Sequence, residues 1–567
     1  MAARWIPLIA SLKNYNKEFF KSDLIAGFTV GVMLIPQGMA YALIAELPPE
    51  YGLYAALVPL IIYAFLGTSR HLSVGPVALV ALLVAAAVSP IANSPEEHIA
   101  LSILLALMVG LLQMAFGLLR MGFLVNLLSH PVLSGFVSAA AIVIGISQLH
   151  HLLGIESITG SLHHVIYGVA VQLSAIHIWT LAIGVISILL ILLLKRRYPK
   201  IPGPILAVTA GILLIFSTGL DQSGVSIVGE INKGFPSLVI PEMNLEIWSA
   251  LFPMALAIAL VAYMEAIAVA KAIEKRSKSY QIDPNKELIA LGAGNIAGSF
   301  FQSFPSTGSF SRSAVNYDTG AKTGVASLVS AFTVAITLVM LTPIFYYLPN
   351  AVLAAIIMVS VFGLIEMEQF KNLWKLGHYD RYMLLATFAG TLFIGIKEGI
   401  LLGVTLSVIM LLYRSARPKY SVMGKIPGTT IYRNVSRYKT EQNPHLLVFR
   451  FDAPLHFANA DYFKTKVEEV IQGHPDTSCL ILDLNGVNEL DSTGLDILLE
   501  VIHDLEQSGV NVRLAEVKST VRDMIKRKVK KENSPEFFMR IEDAVNSINE
   551  FKDPEAREEI NIYLDTH

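Results

Sequence analysis

The segment Ser303–Asn316 reads Ser-Phe-Pro-Ser-Thr-Gly-Ser-Phe-Ser-Arg-Ser-Ala-Val-Asn. It is hydroxyl-rich and broken by Gly and Pro, yet it lies between hydrophobic runs. Facing lipid, each of its unpaired backbone groups would cost several kcal/mol, so it belongs inside protein or beside a water-filled cavity. Arg312 brings a full positive charge to the same depth, which is costly and marks function. The pattern predicts an extended strand that turns into a half-helix near Ser311. The free N–H groups of that half-helix, its positive dipole end and Arg312 would face an anion. Two alternatives stay open: Pro36 only kinks the first span and Ser311 only packs helices, or Arg312 acts through its long-range field without touching the ion.

Glu265 is the second chemical candidate, in Ala262-Tyr263-Met264-Glu265-Ala266-Ile267. It falls in the middle of a hydrophobic run and is the only acid expected deep in the membrane. A buried carboxylate can carry a proton at neutral pH, and beside an anion site that permits proton–anion symport. The competing reading is a permanent ion pair with Arg312. A sodium site would need more oxygens, and Val269, one turn on, supplies none. A third stretch, Ser73-Val74-Gly75-Pro76-Val77, opens a second short run, with Pro expected near the first helical turn. Opposed half-helices there would each present about half a positive charge. That suits a small anion which must also leave.

These residues need a membrane scaffold, and the composition supplies one. The 567 residues are 54% hydrophobic and only 16% charged, against roughly 25% charged in soluble domains. The net charge of -2 does not favour a nucleic-acid partner. The single cysteine, Cys479, excludes an intrachain disulfide. No removable signal peptide is expected after Lys13, Lys17 and Lys21. Residues 1–22 read as a cytoplasmic lead-in. Hydrophobic runs follow near 24–44, 51–66, 74–88, 98–119, 127–149, 175–194 and 203–218. A second set lies near 249–270, 287–303, 310–320, 323–346, 350–366, 380–395 and 399–413. The broken third and tenth runs hold the same place in each half, a transporter's pointer to its binding site. With the N-terminus inside, Arg70, Arg120, Lys195-Arg196-Arg197, Lys275-Arg276, Lys322, Lys371, Lys375 and Arg414 fall on the cytoplasmic side, and only Lys233 and Lys397 outside. This obeys the positive-inside rule. An odd number of spans per half makes the halves inverted.

The transmembrane transport domain is thus read as 23–413, with repeats at about 23–218 and 249–413. Residues 414–440 read as a basic, irregular linker, and 441–567 as a cytoplasmic α/β domain. Strands are expected at 446–451, 479–484 and 510–517, and helices at 460–472, 494–508 and 518–530.

Pro49-Glu50-Tyr51-Gly52-Leu53-Tyr54, followed by Leu66-Gly67-Thr68-Ser69-Arg70, closely resembles the sulfate permease (SulP) family of anion transporters. Pro36-Gln37-Gly38-Met39-Ala40-Tyr41, Asn285-Lys286-Glu287-Leu288 and Gly308-Ser309-Phe310-Ser311-Arg312-Ser313 are similar to that family as well. Leu490-Asp491-Ser492-Thr493-Gly494-Leu495 looks like a STAS domain. The resemblance implies a polytopic all-α membrane domain of fourteen spans in two inverted seven-span repeats with two half-helices. Spans one to four and eight to eleven would form a core that moves against a gate, usually in a homodimer. The family pattern puts the pocket among Gln37, Tyr41, Val77, Ser311 and Arg312. Gln37 and Tyr41, four apart, share a helix face. An acid at the position of Glu265 is what plant-type and many bacterial sulfate permeases have. Thr493 aligns with the phosphoacceptor of STAS regulators, although Asp491-Ser492-Thr493 equally suits a helix N-cap.

The functional expectation is secondary active transport of a small inorganic anion, with proton-coupled sulfate uptake favoured. The protein would sit in the cell membrane with its N-terminus and STAS domain in the cytoplasm. Alternatives are an anion exchanger, a bicarbonate transporter, or an anion-sensing regulatory protein with STAS as output. No nucleophile–base pair or metal set is visible, so neither an enzyme nor a cofactor is expected. His150, His151, His163, His164 and His177 read as a solvated outer loop. Gly27 with Gly31 reads as helix packing. Gly292-x-Gly294 has no dinucleotide fingerprint around it.

Overall fold

The computed structural model describes residues 6–549 apart from 14, 124–128, 157–161, 199–201, 243, 366, 377 and 530–534. The chain divides into two compact units, Met1–Val408 and Ile409–His567. The first is helical. Its principal elements are α1 (Lys17–Ile44), α2 (Pro49–Ala55), α3 (Val58–Leu66), β1 (Ser73–Gly75), α4 (Ala78–Val88), α5 (Pro95–Leu118), α6 (His130–Ser147), α7 (Ile178–Arg197) and α8 (Gly203–Thr218). The second half contributes α9 (Leu245–Ser277), α10 (Pro284–Ser299), β2 (Thr307–Ser309), α11 (Phe310–Asp318), α12 (Val325–Ile336), α13 (Asn350–Phe362), α14 (His378–Ala389) and α15 (Ile396–Ala416).

Among the described residues, 8 helices are long and apolar enough to cross a membrane. Every hydrophobic run read from the sequence falls on one of these elements or on a shorter helix. This is a multi-pass membrane protein. Within the stretch read as a lead-in a short helix covers Pro7–Leu12 and α1 already starts at Lys17, because Asn16 accepts from the Phe19 amide and caps it there. The start of the fifth run, at 127, and the end of the twelfth, at 366, lie outside the described residues.

Small residues set how closely the helices cross. A Cβ on Gly27 would overlap the Ala326 carbonyl, and Ser330 Oγ donates to the Gly27 carbonyl at 2.7 Å, so α1 and α12 touch backbone to backbone. Gly292 does the same for α5 and α10, where a Cβ would lie 2.6 Å from the Met114 amide nitrogen. Its Gly292-x-Gly294 pattern is therefore spent on packing. The tightest crossing joins two of the motifs above: a Cβ on Gly52 would sit on the Gly38 carbonyl oxygen. Gly52→Ala is expected to force α2 away from α1 at a cost of about 1–3 kcal/mol. Thermal unfolding of the detergent-solubilised protein checks this, and an unchanged midpoint would refute the crossing.

The second unit is an α/β domain. Its six-stranded sheet has the order β4-β3-β5-β6-β7-β8. The strands are β3 (Tyr420–Lys425), β4 (Tyr432–Asn434), β5 (Leu446–Phe451), β6 (Cys479–Asp483), β7 (Asn511–Ala515) and β8 (Glu536–Phe538). From β5 to β8 the pairing is parallel, and β3 runs antiparallel to both of its neighbours. The helices are α16 (Ala460–Gln472), α17 (Ser492–Gln507), α18 (Ser519–Lys528) and α19 (Ile541–Asn549). Phe449, Phe451, Leu480, Leu482, Leu498 and Leu514 form its core, buried as continuous apolar runs must be in a parallel sheet. Residues 420–425 and 432–434 are strands and not irregular linker. In β3 only Met423 and Gly424 are buried, so the local hydrophobic signal of this sheet edge is thin.

Candidate anion-binding site

The two broken segments meet. β1 pairs antiparallel with β2 in the register Ser73↔Ser309, Val74↔Gly308 and Gly75↔Thr307. The ladder satisfies backbone groups that could not be left bare at membrane depth. Its antiparallel sense also sets the helices. α4 leaves from the Gly75 end and α11 from the Ser309 end, in opposite directions, each with its N-terminus turned to the ladder. The N-caps Val77 and Ser309 are extended, and neither makes a side-chain capping bond. The first amides of both helices therefore lack side-chain acceptors. Pro76 precedes the Val77 cap and so lies two positions before Ala78, the first residue of the helix.

Residues on neighbouring helices hold the unwound strand. Asn295 of α10 donates to the Ser306 carbonyl at 3.1 Å and accepts from the Ser306 amide at 2.8 Å. Gln113 of α5 accepts from Asn295 Nδ2 at 3.0 Å. Thr307 Oγ1 donates to the Ala262 carbonyl of α9 at 2.5 Å, and the Ser73 amide donates to Ser313 Oγ at 2.9 Å. Sequence reading passed over these residues. The signal was present, since Gln113 and Asn295 are amides inside apolar helices and must find partners there.

Arg312, in the first turn of α11, is fully buried. Its Nη1 donates to Gln37 Oε1 and its Nε to Ser73 Oγ, both at a long 3.4 Å, and Nη2 has no partner. A Cβ on Gly75 would lie 3.3 Å from that free Nη2. Gln37 and Tyr41 are both buried on α1, and the Tyr41 hydroxyl is within reach of Ser360. Val77 is buried at the mouth of α4. Ser311 is exposed, as is Phe310 before it, so the start of α11 is open while its arginine is enclosed. Glu265 lies on α9, in Coulombic range of Arg312, and its Oε2 is buried without a hydrogen-bond partner. No ion pair joins Glu265 to Arg312 among the described residues, and each keeps a bare polar atom.

Glu265 as a residue is half-buried, and two other acids are enclosed completely. Glu287 is fully buried and accepts from Tyr63 OH at 2.6 Å, from the Thr68 amide at 2.7 Å and hydroxyl at 2.5 Å, and from the Ser69 amide at 3.1 Å. Asp23, also fully buried, accepts from the Lys322 and Thr323 amides and the Thr323 hydroxyl. Both carboxylates are occupied in pinning loops, which distinguishes them from Glu265. Local sequence hides this, because the amide and hydroxyl partners from Thr68, Ser69, Lys322 and Thr323 are hundreds of residues away.

In the α/β unit, Asp491 is the N-cap of α17: its carboxylate accepts from the Gly494 amide at 2.7 Å and the Phe457 amide at 2.9 Å. Thr493 is exposed and leaves the capping to Asp491. These backbone bonds hold the Asp491 carboxyl below its usual range. A lowered folded-state value means the contribution is present above the unfolded value and is lost as pH falls through the folded one. Asp491→Ala is expected to cost about 0.5–2 kcal/mol at neutral pH and nothing in acid below the carboxylate range. Unfolding of wild type and variant at both pH values tests it. Among the described residues, no group of His, Cys, Asp and Glu is arranged to hold a metal.

Residues 20–387 match the sequence profile of the Sulfate permease family, and residues 437–544 that of the STAS domain. The chain belongs to the sulfate permease family. This member is 36% identical over 563 residues to "Sulfate transporter 4.1, chloroplastic" of Arabidopsis thaliana, a match covering 95% of this chain and 82% of that one. It is 35% identical to "High affinity sulfate transporter 2" of Stylosanthes hamata, covering 90% of this chain and 80% of that one. Among solved structures, that of SLC26A9 superposes with a TM-score of 0.88 at 27% identity, covering 97% of this chain and 93% of that one. The transmembrane domain of the cyanobacterial bicarbonate transporter BicA shares the fold, with a TM-score of 0.61 at 22% identity over 70% of this chain and 98% of that one. This sulfate permease family member is therefore a transporter and not an enzyme, with a helical membrane domain followed by a STAS domain.

Proposed function

We propose that the protein moves a small inorganic anion by secondary active transport, and that its reaction is proton-coupled sulfate uptake by alternating access. One observation carries this reading: two helix N-termini without side-chain caps converge on the β1–β2 ladder beside an enclosed Arg312 with a free Nη2. Backbone amides and dipole ends bind an anion firmly enough to select it and weakly enough to release it. Gln37, Tyr41, Val77, Ser311 and Arg312 line the site in this proposal, and Glu265 carries the coupling proton. The names of the plant relatives support sulfate as the ion.

The same proposal puts the chain in the cell membrane as a homodimer, with the N-terminus and STAS domain in the cytoplasm. The positive-inside charge distribution supports that orientation. The transport domain would run through residues 23–413. The STAS domain would dock a cytoplasmic partner, and phosphorylation at Thr493 would add nearly two negative charges beside a helix start and change that docking.

Radiolabelled sulfate uptake into proteoliposomes, with competing anions and imposed pH gradients, tests the proposal. Sulfate accumulation driven by an inward proton gradient is expected. Accumulation of bicarbonate in its place, or movement only against a counter-anion, would refute it.

A further inference from the structure

The STAS-bearing unit contains a cavity of about 560 Å³ whose lining is strongly basic. Arg417, Lys419, Arg433, Arg437 and Arg450 face it, with Asp452 as the opposing acid. Arg450 is already paired with Asp452 at 2.6 Å. Lys419, Arg433 and Arg437 make no ion pair among the described residues, and all three are exposed. Several like charges around one hollow repel one another, and a bound anion relieves that repulsion. The hollow lies outside the transport site and in the other compact unit.

Chain connectivity says what kind of anion this is. The apolar span α15 ends at Ala416, and Arg417 is the next residue. Lys419 is three residues on, at most about 11 Å of extended chain. The headgroup layer of a bilayer is roughly 5–8 Å deep on each side of the hydrocarbon. The first cations of the basic mouth thus start within chain reach of the headgroup layer. Tyr438, 53% exposed on its rim, is a residue type that settles at that interface.

We infer that this cavity binds the phosphate of an acidic phospholipid headgroup from the adjoining leaflet. Guanidinium groups suit such an anion, since each offers paired N–H donors to phosphate oxygens. The site would tie the first strands of the STAS domain to the membrane surface, whatever ion is transported.

The test uses full-length protein in nanodiscs and reads backbone hydrogen exchange across residues 417–437. Discs of phosphatidylcholine alone are compared with discs containing phosphatidylglycerol, and with phosphatidylcholine discs in millimolar inorganic phosphate. Phosphatidylglycerol is expected to slow exchange in the wild type. Arg433→Gln combined with Arg437→Gln should weaken that lipid's hold roughly 30-fold and so abolish the protection. Lys518→Gln combined with Lys528→Gln, which removes two cations outside the cavity lining, should retain it. Unchanged exchange in strands β5 to β7 verifies that the variants are folded. Equal exchange in both lipids overturns the site. Equal loss in the control variant reduces it to general surface attraction and overturns it too. Full protection by inorganic phosphate, with nothing added by phosphatidylglycerol, overturns the lipid as its source.

Discussion

Arg312→Ala is expected to weaken anion binding roughly 10- to 150-fold, the worth of one hydrogen bond to a charged group, while the protein stays assembled. The second half of that expectation follows from geometry. Arg312 is fully enclosed, yet its two bonds, to Gln37 and Ser73, are both stretched to 3.4 Å. It does little to hold the ladder, which is secured by Asn295, Thr307 and Ser313. Its free Nη2 is the atom an anion would satisfy. A companion variant removes no charge: Ser311→Trp would place a large ring at the exposed start of α11, where an anion must approach the helix amides. Sulfate binding to the purified variants, alongside their thermal unfolding, reads both effects. Normal binding in both folded variants would remove this pocket from consideration.

Glu265→Gln is expected to separate exchange from accumulation. A divalent anion entering a negative-inside cell works against about 2.3 kcal/mol per charge per 100 mV, so accumulation needs accompanying cations. In the proposed mechanism Glu265 is the proton site, because its half-buried carboxylate is unlike the fully enclosed acids. Glu287 and Asp23 are saturated by backbone amides and hydroxyls, whereas Glu265 keeps Oε2 bare within Coulombic range of Arg312. Protonation would cancel one negative charge in the loaded site as it moves past the gate. The glutamine mimics that protonated state permanently. Sulfate–sulfate exchange should therefore continue, and uptake driven by an inward proton gradient should vanish. Both modes are measured in the same proteoliposomes. Accumulation equal to wild type would exclude Glu265 as the coupling group.

Hydropathy and residue type alone determined that this chain crosses a membrane repeatedly. They also located its two broken spans, since Gly/Pro-broken segments cannot face lipid wherever the rest of the chain lies, least of all the hydroxyl-rich one that carries Arg312. The α/β character of the C-terminal part was equally legible, because its buried parallel strands are short continuous apolar runs. Tertiary structure decided everything that depends on a distant partner. Only packing brings Ser73 opposite Ser309 or Asn295 against Ser306, and only the Gly38–Gly52 crossing explains why those motif glycines are small. The same holds for the acids: hydropathy places Glu265 inside an apolar run and Asp23 and Glu287 at the edges of theirs, but does not say which of them is saturated by donors. What separates a structural carboxylate from one free to take a proton is the number of donors that folding carries to it, and those donors are far away in sequence.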